Sequence, residues 1–192
     1  MRSPRIPKWI GWPLLALWTY FVLSFLARKA TFHPSKYPEG FWDLQAHWNA
    51  EDVWLDTADG VRIHGWMIEP DESRGLVTLY LHGNAGNLTH RVVHIQALVN
   101  VKSSLLIIDY RGYGKSEGSP SEEGTYLDTE AAYDYLLERE YRPEQIVVHG
   151  ESLGTAMATD LASRRPCAGL ILEAPFPSAR AVAARWNPGK RD

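Results

Sequence analysis

Residues 146–162 read IVVHGESLGTAMATDLA. The opening letters IVVH form an apolar run typical of a buried strand, and the letters from Thr155 onward favour a helix. Between the two lies GESLG at 150–154, which matches the G-x-S-x-G pattern in the strand-to-helix setting that this pattern requires. A tight turn at this point strains the backbone of the serine, and the flanking glycines leave room for the crossing chain. We therefore predict that Ser152 is a nucleophile raised above the edge of a sheet.

A second motif, HGNAGN at 82–87, follows the apolar run at 76–81. Acyl transfer places negative charge on the former carbonyl oxygen, so it needs two fixed N–H donors. We expect one donor from Leu153, the residue after the nucleophile, and the other from Asn84 in this glycine-rich loop. The alternative for each motif is an ordinary strand-to-helix turn that is rich in glycine.

Apolar runs and helically spaced apolar residues alternate along the rest of the chain. We predict strands at 52–57, 61–68, 76–81, 104–108, 146–148 and 170–172, and helices at 88–99, 122–140 and 155–163. The first two strands flank Ala58-Asp59-Gly60, which is typical of a hairpin. Apolar strands separated by helices indicate a parallel sheet covered on both faces. The predicted fold class is therefore α/β, with a mostly parallel sheet of about six strands.

Composition excludes several kinds of site. The net charge is −3 and no run of Arg and Lys occurs after the first forty residues, so we expect no nucleic-acid partner. Cys167 is the only cysteine, which excludes an internal disulfide and a thiolate-bound metal. His90 and His94 have the i, i+4 spacing of ligands on a helix, but no third ligand accompanies them in the sequence. We expect neither a metal nor a cofactor.

The N-terminal segment differs from the rest of the chain. Residues 9–27, WIGWPLLALWTYFVLSFLA, carry no charge and nearly reach the roughly 20 residues that a helix needs to cross a bilayer. Basic residues flank the run, and its tryptophans and tyrosine suit the membrane–water boundary. We predict a single transmembrane helix at 9–27, preceded by a basic tail at 1–8. A cleaved signal peptide and a buried soluble helix are the alternatives.

The predicted span sets the domain organisation and the location. Residues 28–50 contain prolines and a glycine without sustained periodicity, so we interpret them as a linker to a globular domain at 51–192. The basic residues before the span, together with the α-amine, favour an N-terminus on the inside of the membrane. We therefore expect a single-pass membrane protein whose domain lies on the translocated side.

Four segments together resemble the α/β-hydrolase superfamily: HGNAGN at 82–87, DYRGYGKS at 109–116, GESLG at 150–154 and LEAPF at 172–176. The resemblance is greatest to the serine aminopeptidase-like subgroup, which includes single-span membrane members. It implies an eight-stranded sheet, no cofactor and a catalytic order of Ser, Asp and His. It also implies that the acid follows a seventh strand and the histidine an eighth.

The acid and histidine implied by the resemblance would lie beyond residue 192, because only about six strands are predicted. We therefore expect a C-terminally truncated, partial α/β-hydrolase domain at 51–192. Glu173 stands where some relatives place an acid. Glu151 is interpreted as a local packing or hydrogen-bonding residue, and Arg111 as a residue that ties loops together.

Two functions are compatible with these residues. The first is a serine hydrolase that cleaves esters, thioesters or small amides through an acyl-enzyme on Ser152, impaired because two triad residues are absent. The second is a non-catalytic truncated membrane protein, or a binding module that keeps the hydrolase cleft. The expected partners are a small ester or amide substrate and, through residues 9–27, a membrane. The sequence indicates no particular protein partner.

Overall fold

The computed structural model describes Pro13, residues 15–23 and residues 31–176. The chain divides into two compact units between His33 and Pro34. Residues 177–192, the C-terminal part of the predicted domain, lie outside the described residues.

In the first unit, residues 15–23 are helical, and their large apolar side chains, such as Trp18 and Phe21, are exposed. The hydroxyl of Thr19 donates to the carbonyl oxygen of Leu15 at 2.8 Å. Across the described residues, no helix combines the length and the apolar content that crossing a membrane requires. The predicted transmembrane segment at 9–27 lies partly outside those residues.

The second unit begins its main sheet with a hairpin. Strand β1 (Glu51–Asp56) pairs antiparallel with strand β2 (Arg62–Ile68). The backbone N–H of Thr57 donates to the carbonyl oxygen of Val61 at 2.9 Å, and Gly60 occupies the left-handed region at a φ of 77°. The hairpin predicted around residues 58–60 is confirmed.

Four further strands complete the main sheet within the described residues: β3 (Val77–Leu81), β4 (Ser104–Asp109), β5 (Ile146–Glu151) and β6 (Gly169–Glu173). The strand order is β1-β2-β4-β3-β5-β6. Strand β2 pairs antiparallel with β4, and the pairs β4–β3, β3–β5 and β5–β6 are parallel. The predicted α/β class and the mostly parallel sheet of about six strands are confirmed.

Helices cover both faces of this sheet. The α-helices are α1 (Leu44–His47), α2 (Val92–Asn100), α3 (Glu122–Glu138) and α4 (Gly154–Arg164). Successive residues of a strand point to opposite faces. Accordingly, the ring of His149 packs against Tyr80 on the α2 face, while Gly150 lies against Ala158 of α4 on the other.

Short elements connect these helices and strands. Two strands of two residues are His33–Pro34 and Ala85–Gly86, and two 3-10 turns are Leu88–His90 and Pro143–Gln145. Helix α3 begins with a side-chain cap, because the hydroxyl of Ser121 accepts from the N–H of Gly124 at 3.1 Å. Such caps satisfy backbone donors that a helix leaves unpaired at its start.

A buried apolar cluster fills the space between the sheet and α2, and it comprises Ala50, Trp66, Ile68, Tyr80, Leu88, Ile95, Leu105 and Ile107. Residues 34–50, which are part of the predicted linker, lie in the same compact unit as the sheet. Trp42 and Trp48 pack against the cluster, and the indole N–H of Trp48 donates to Gln96 at 3.3 Å. This segment therefore contributes to the core.

The prediction of one helix over 88–99 is wrong at its start. Residues Leu88–His90 form a 3-10 turn, and the α-helix begins at Val92. The side chain of Asn87 accepts from the N–H of Thr89 at 3.1 Å, and the buried carboxylate of Asp109 accepts from the N–H of Leu88 at 2.8 Å. These side chains bind the backbone donors of residues 88 and 89 and so tighten the first turn.

Candidate active site

The turn between β5 and α4 has the geometry that the G-x-S-x-G pattern predicts. Ser152 has a φ of 48°, which lies in the left-handed region that residues with a side chain rarely adopt. A Cβ on Gly150 would lie 2.4 Å from the carbonyl oxygen of Gly154. A Cβ on Gly154 would lie 1.9 Å from the carbonyl oxygen of Leu81, at the end of β3. Glycine is therefore required at both positions because backbone crosses backbone there.

The two predicted site residues of this turn present their groups at the carboxyl edge of the sheet. The Ser152 side chain is half-buried, and within residues 31–176 no hydrogen bond is made to its hydroxyl. Leu153 is the N-cap of α4, and its N–H has no acceptor in the described part of the chain. The start of a helix favours negative charge, so an anion placed over Leu153 would be stabilised.

The loop at 82–87 contains the third predicted site residue, Asn84. The hydroxyl of Tyr113 donates to the backbone oxygen of Asn84 at 2.8 Å and lies 2.9 Å from its side-chain oxygen. The hydroxyl of Tyr110 donates to the carbonyl oxygen of His82 at 3.0 Å. Two buried tyrosines from the turn after β4 therefore hold the loop through hydrogen bonds to its carbonyl oxygens.

The same loop is fastened to the elbow by Glu151, the residue before the nucleophile. The Glu151 Oε2 atom accepts from the N–H of Gly83 at 3.0 Å and from the hydroxyl of Tyr80 at 2.9 Å. It also lies 2.9 Å from Nε of Arg91. Burial raises the pKa of Glu151, but the hydrogen bond from Gly83, the positive charge of Arg91 and the hydrogen bond from Tyr80 outweigh burial and leave it below the usual value. Glu151 is therefore an ionised acceptor.

The interaction with Glu151 also affects the protonation of Tyr80. Burial raises the pKa of the Tyr80 phenol, and the negative charge of Glu151 raises it further. The phenol therefore keeps its proton and donates a hydrogen bond to the carboxylate. The contacts of Glu151 agree with its predicted hydrogen-bonding role, whereas the roles of Arg91 and Tyr80 were not predicted from sequence.

A second carboxylate, the buried side chain of Asp109, holds the far end of the loop by accepting from the N–H of Leu88 at 2.8 Å. It lies 3.5 Å from Nε2 of His82 and 3.9 Å from Nδ1 of His64, and all three side chains are fully buried. Burial raises the pKa of Asp109, but the nearby imidazoles of His64 and His82 and the hydrogen bond from the N–H of Leu88 lower it below its ordinary value. The loop is thus attached to a carboxylate at each end.

The histidines considered as metal ligands do not converge. His90 Nδ1 lies 2.9 Å from the side-chain oxygen of Asn87, whereas His94 Nε2 lies 3.2 Å from the carboxylate of Glu173. In residues 31–176 and the short N-terminal helix, no cluster of three His, Cys, Asp or Glu residues has the arrangement of a metal site. His149 Nε2 lies 3.4 Å from Glu173, and burial lowers the pKa of His149.

Arg111 ties three segments together, as predicted. Its Nε and backbone N–H donate to Asp128 of α3 at 2.9 and 2.8 Å, and its terminal nitrogens bind Asp59 in the hairpin turn. Burial raises the pKa of Asp128 to about 6, although the bonds from Arg111 oppose this rise. A Cβ on Gly124 would collide with the Arg111 side chain. The role of Arg111 is structural.

Comparison with known sequences gives two kinds of match. The sequence profile of a family described as "Serine aminopeptidase, S33" matches residues 71–188. The "Alpha/beta hydrolase domain-containing protein WAV2" of Arabidopsis thaliana is 41% identical over 133 residues, which is 67% of this chain and 43% of that protein. "Protein bem46" of Schizosaccharomyces pombe is 35% identical over 188 residues, 91% of this chain and 62% of that protein. The chain spans less than two thirds of the length of either relative.

Comparison with solved structures gives the same fold. The esterase Pf2001 of Pyrococcus furiosus superimposes with a TM-score of 0.66, over 80% of this chain and 62% of that chain. Its sequence is 23% identical. At this level of identity the similarity shows the fold alone.

Proposed function

Because the chain belongs to the serine aminopeptidase S33 family of α/β-hydrolases, we propose that it is a serine hydrolase that forms an acyl-enzyme on Ser152. The substrates are small esters, thioesters or amides. The Ser152 oxygen bonds to the substrate carbonyl carbon, its proton passes to a general base, and the leaving alcohol, thiol or amine departs with a proton. Water then releases the acid from the serine.

One observation carries this proposal: the left-handed backbone of Ser152, at the junction of β5 and α4. A non-glycine residue in this conformation is strained by about 1–2 kcal/mol. Strain of this kind persists where the surrounding structure enforces it, and it is frequent at catalytic residues. Alanine or glycine would make the turn at least as well, so the serine hydroxyl is the feature that needs a chemical explanation.

The oxyanion donors belong to the same proposal. The N–H of Leu153 supports it because it starts a helix and has no acceptor among the described residues. Asn84 supplies the second donor from the loop that Glu151 fastens beside the serine. Each such donor is worth roughly 10²–10³ in rate.

This mechanism also requires a general base that accepts the proton of the Ser152 hydroxyl. No imidazole of residues 31–176 hydrogen-bonds the Ser152 hydroxyl. A serine without a base is a weak nucleophile near neutral pH, while an oxyanion hole alone retains a small acceleration over water. The second candidate function, a non-catalytic protein that retains the cleft, is compatible with a serine hydroxyl to which no imidazole of residues 31–176 is hydrogen-bonded.

The membrane anchor at 9–27 and a domain on the translocated side complete the proposal. They are supported by the uncharged run and by the basic residues on both sides of it. Extraction of membranes at high pH tests the anchor. An integral protein stays with the membrane pellet, and release into the supernatant would refute a transmembrane helix.

A fluorophosphonate probe tests the activity, because it reacts with activated serines. We expect labelling of the wild-type chain and none of Ser152→Ala. Ser163→Ala is the matched control, because Ser163 is exposed on α4 and its hydroxyl only donates to the carbonyl oxygen of Asp160. Labelling that survives Ser152→Ala, or a folded wild-type chain that does not label, would refute catalysis through Ser152.

A further inference from the structure

Glu151 and Arg91 together hold both peptide groups that flank Gly83. The N–H of Gly83 donates to Glu151 Oε2 at 3.0 Å. The carbonyl oxygen of Gly83 accepts from the terminal nitrogen of Arg91 at 3.1 Å. Arg91 is itself held by Glu151, with 2.9 Å between Nε and Oε2, and it also donates to the carbonyl oxygen of Ala85 at 2.6 Å.

The second of these peptide groups is the one that carries the N–H of Asn84. A trans peptide is planar, and its C=O and N–H point in opposite directions. Because Arg91 binds the carbonyl oxygen of Gly83, it also fixes the direction in which the Asn84 N–H points. His82 Nδ1, 2.7 Å from the same carbonyl oxygen, holds it from a second side.

The Glu151–Arg91 pair is largely buried, and the space around the Glu151 carboxylate is tightly filled. The Arg91 side chain is 13% exposed and that of Glu151 is 22% exposed. A Cβ on Gly83 would lie 3.0 Å from Glu151 Oε1, so a side chain there would displace the carboxylate. An ion pair that is largely removed from water is screened much less than a surface pair, and it holds the peptide groups it binds in one orientation.

We infer that the Glu151–Arg91 pair is a positioning device that sets the orientation of the Gly83–Asn84 peptide relative to the nucleophile. This inference rests on the proposed function for the role of Asn84. Glu151 immediately precedes Ser152, so the backbone that presents the nucleophile also presents the carboxylate that orients the oxyanion loop. Glu151 and Arg91 act through the peptide groups that they bind and are therefore positioning residues.

Loss of this pair should impair the reaction step more than the binding step. An oxyanion forms only as the probe or substrate reacts, so a misdirected N–H weakens the transition state and leaves the ground state unchanged. We expect Glu151→Ala and Arg91→Ala to lower the maximal rate of phosphonylation, kinact, by at least about 10-fold. The half-saturating probe concentration, KI, should change little.

Glu151→Gln separates positioning from general folding effects. A glutamine retains an oxygen that accepts from Gly83 but loses the charge that holds Arg91, so we expect a rate between those of wild type and Glu151→Ala. Glu69→Ala is the matched control. Glu69 also accepts from a tyrosine, Tyr141 at 2.9 Å, and pairs with an arginine, Arg139 at 3.3 Å, away from the loop.

Amide hydrogen exchange of residues 82–87 gives a readout that does not depend on activity. Faster exchange in Glu151→Ala and Arg91→Ala, with no change in Glu69→Ala, is the expected result. If Glu151→Ala lacks a cooperative melt, Glu151→Gln replaces it in this comparison. Unchanged exchange in the folded variants would overturn the inference. If the wild-type chain labels, a kinact of the variants equal to that of wild type would overturn it as well. A wild-type chain that does not label refutes the proposed function, and the exchange result then decides the positioning role alone.

Discussion

The backbone N–H of Ser152 donates a hydrogen bond to the carbonyl oxygen of Glu173, with 2.8 Å between nitrogen and oxygen. This bond continues the parallel β5–β6 ladder by one residue beyond its last pair, Glu151 opposite Glu173. The strained serine is therefore anchored to the neighbouring strand, while the residue before it anchors the loop at 82–87. These two attachments explain how a left-handed serine is held in place.

Gly154→Ala should destabilise the fold by about 2 kcal/mol or more. The added Cβ would meet the carbonyl oxygen of Leu81 at 1.9 Å, so α4 or β3 has to move. Gly169→Ala is the control, because a Cβ on Gly169 has no neighbour within 4 Å. Chemical denaturation of both variants measures the difference. Equal stability of Gly154→Ala and wild type would refute the close crossing of α4 over β3.

In a helix an alanine variant is usually more stable than a glycine variant, and at Ser152 we expect the opposite order of stability. Its φ of 48° penalises a side chain, so Ser152→Gly should be more stable than Ser152→Ala by about 1 kcal/mol. At Ser163, in the last turn of α4, alanine should instead be the more stable, by up to about 1 kcal/mol. Thermal melts of the four variants test this reversal. The same order at both positions would show that residue 152 is not strained.

The contribution of Glu151 to stability should disappear in acid. Its pKa in the folded chain lies below the ordinary value of 4.5. The stabilisation is therefore complete above about that pH and is lost as the pH falls through the lower, folded-state pKa. The free energy of unfolding of wild type should exceed that of Glu151→Gln at neutral pH, and the difference should shrink below about pH 4. A difference that grows in acid would contradict this assignment.

Asp128→Ala should cost about 3 kcal/mol, because it leaves the guanidinium of Arg111 without its buried partner. The Asp128 side chain is fully buried and that of Arg111 is 6% exposed. Asp160→Ala is the comparison, because its pair with Arg164 lies at the surface and should contribute less than about 1 kcal/mol. Urea denaturation compares the two variants. Similar losses would show that burial does not strengthen the Arg111 interaction.

The elbow and the alternation of strands and helices along the chain were predictable from sequence because their signals are local. An apolar run, a glycine-flanked serine and a helix-forming segment lie next to one another at 146–162. The start of α2 was not predictable, because the contact that shapes it joins Leu88 to Asp109, which are 21 positions apart. No local pattern reports a tertiary hydrogen bond of this kind.

The same reason explains why the role of Arg91 was missed. Its partner Glu151 lies 60 positions later, and the two meet only because β3 and β5 are neighbours in the sheet. The sequence around Arg91 has the spacing of an ordinary helix. One signal was present: a glutamate inside the nucleophile motif needs a positive or hydrogen-bonding partner when it is partly buried.

The central claim is that Ser152 attacks and that Leu153 and Asn84 receive the oxyanion. A crystal structure of the chain after reaction with a fluorophosphonate measures this directly, because the phosphonyl oxygen marks the oxyanion position. The predicted result is phosphorus bonded to Ser152 Oγ, with its oxygen about 2.7–3.1 Å from the N–H groups of Leu153 and Asn84. A phosphonyl group on another residue, an oxygen directed away from both N–H groups, or no adduct at all would contradict it.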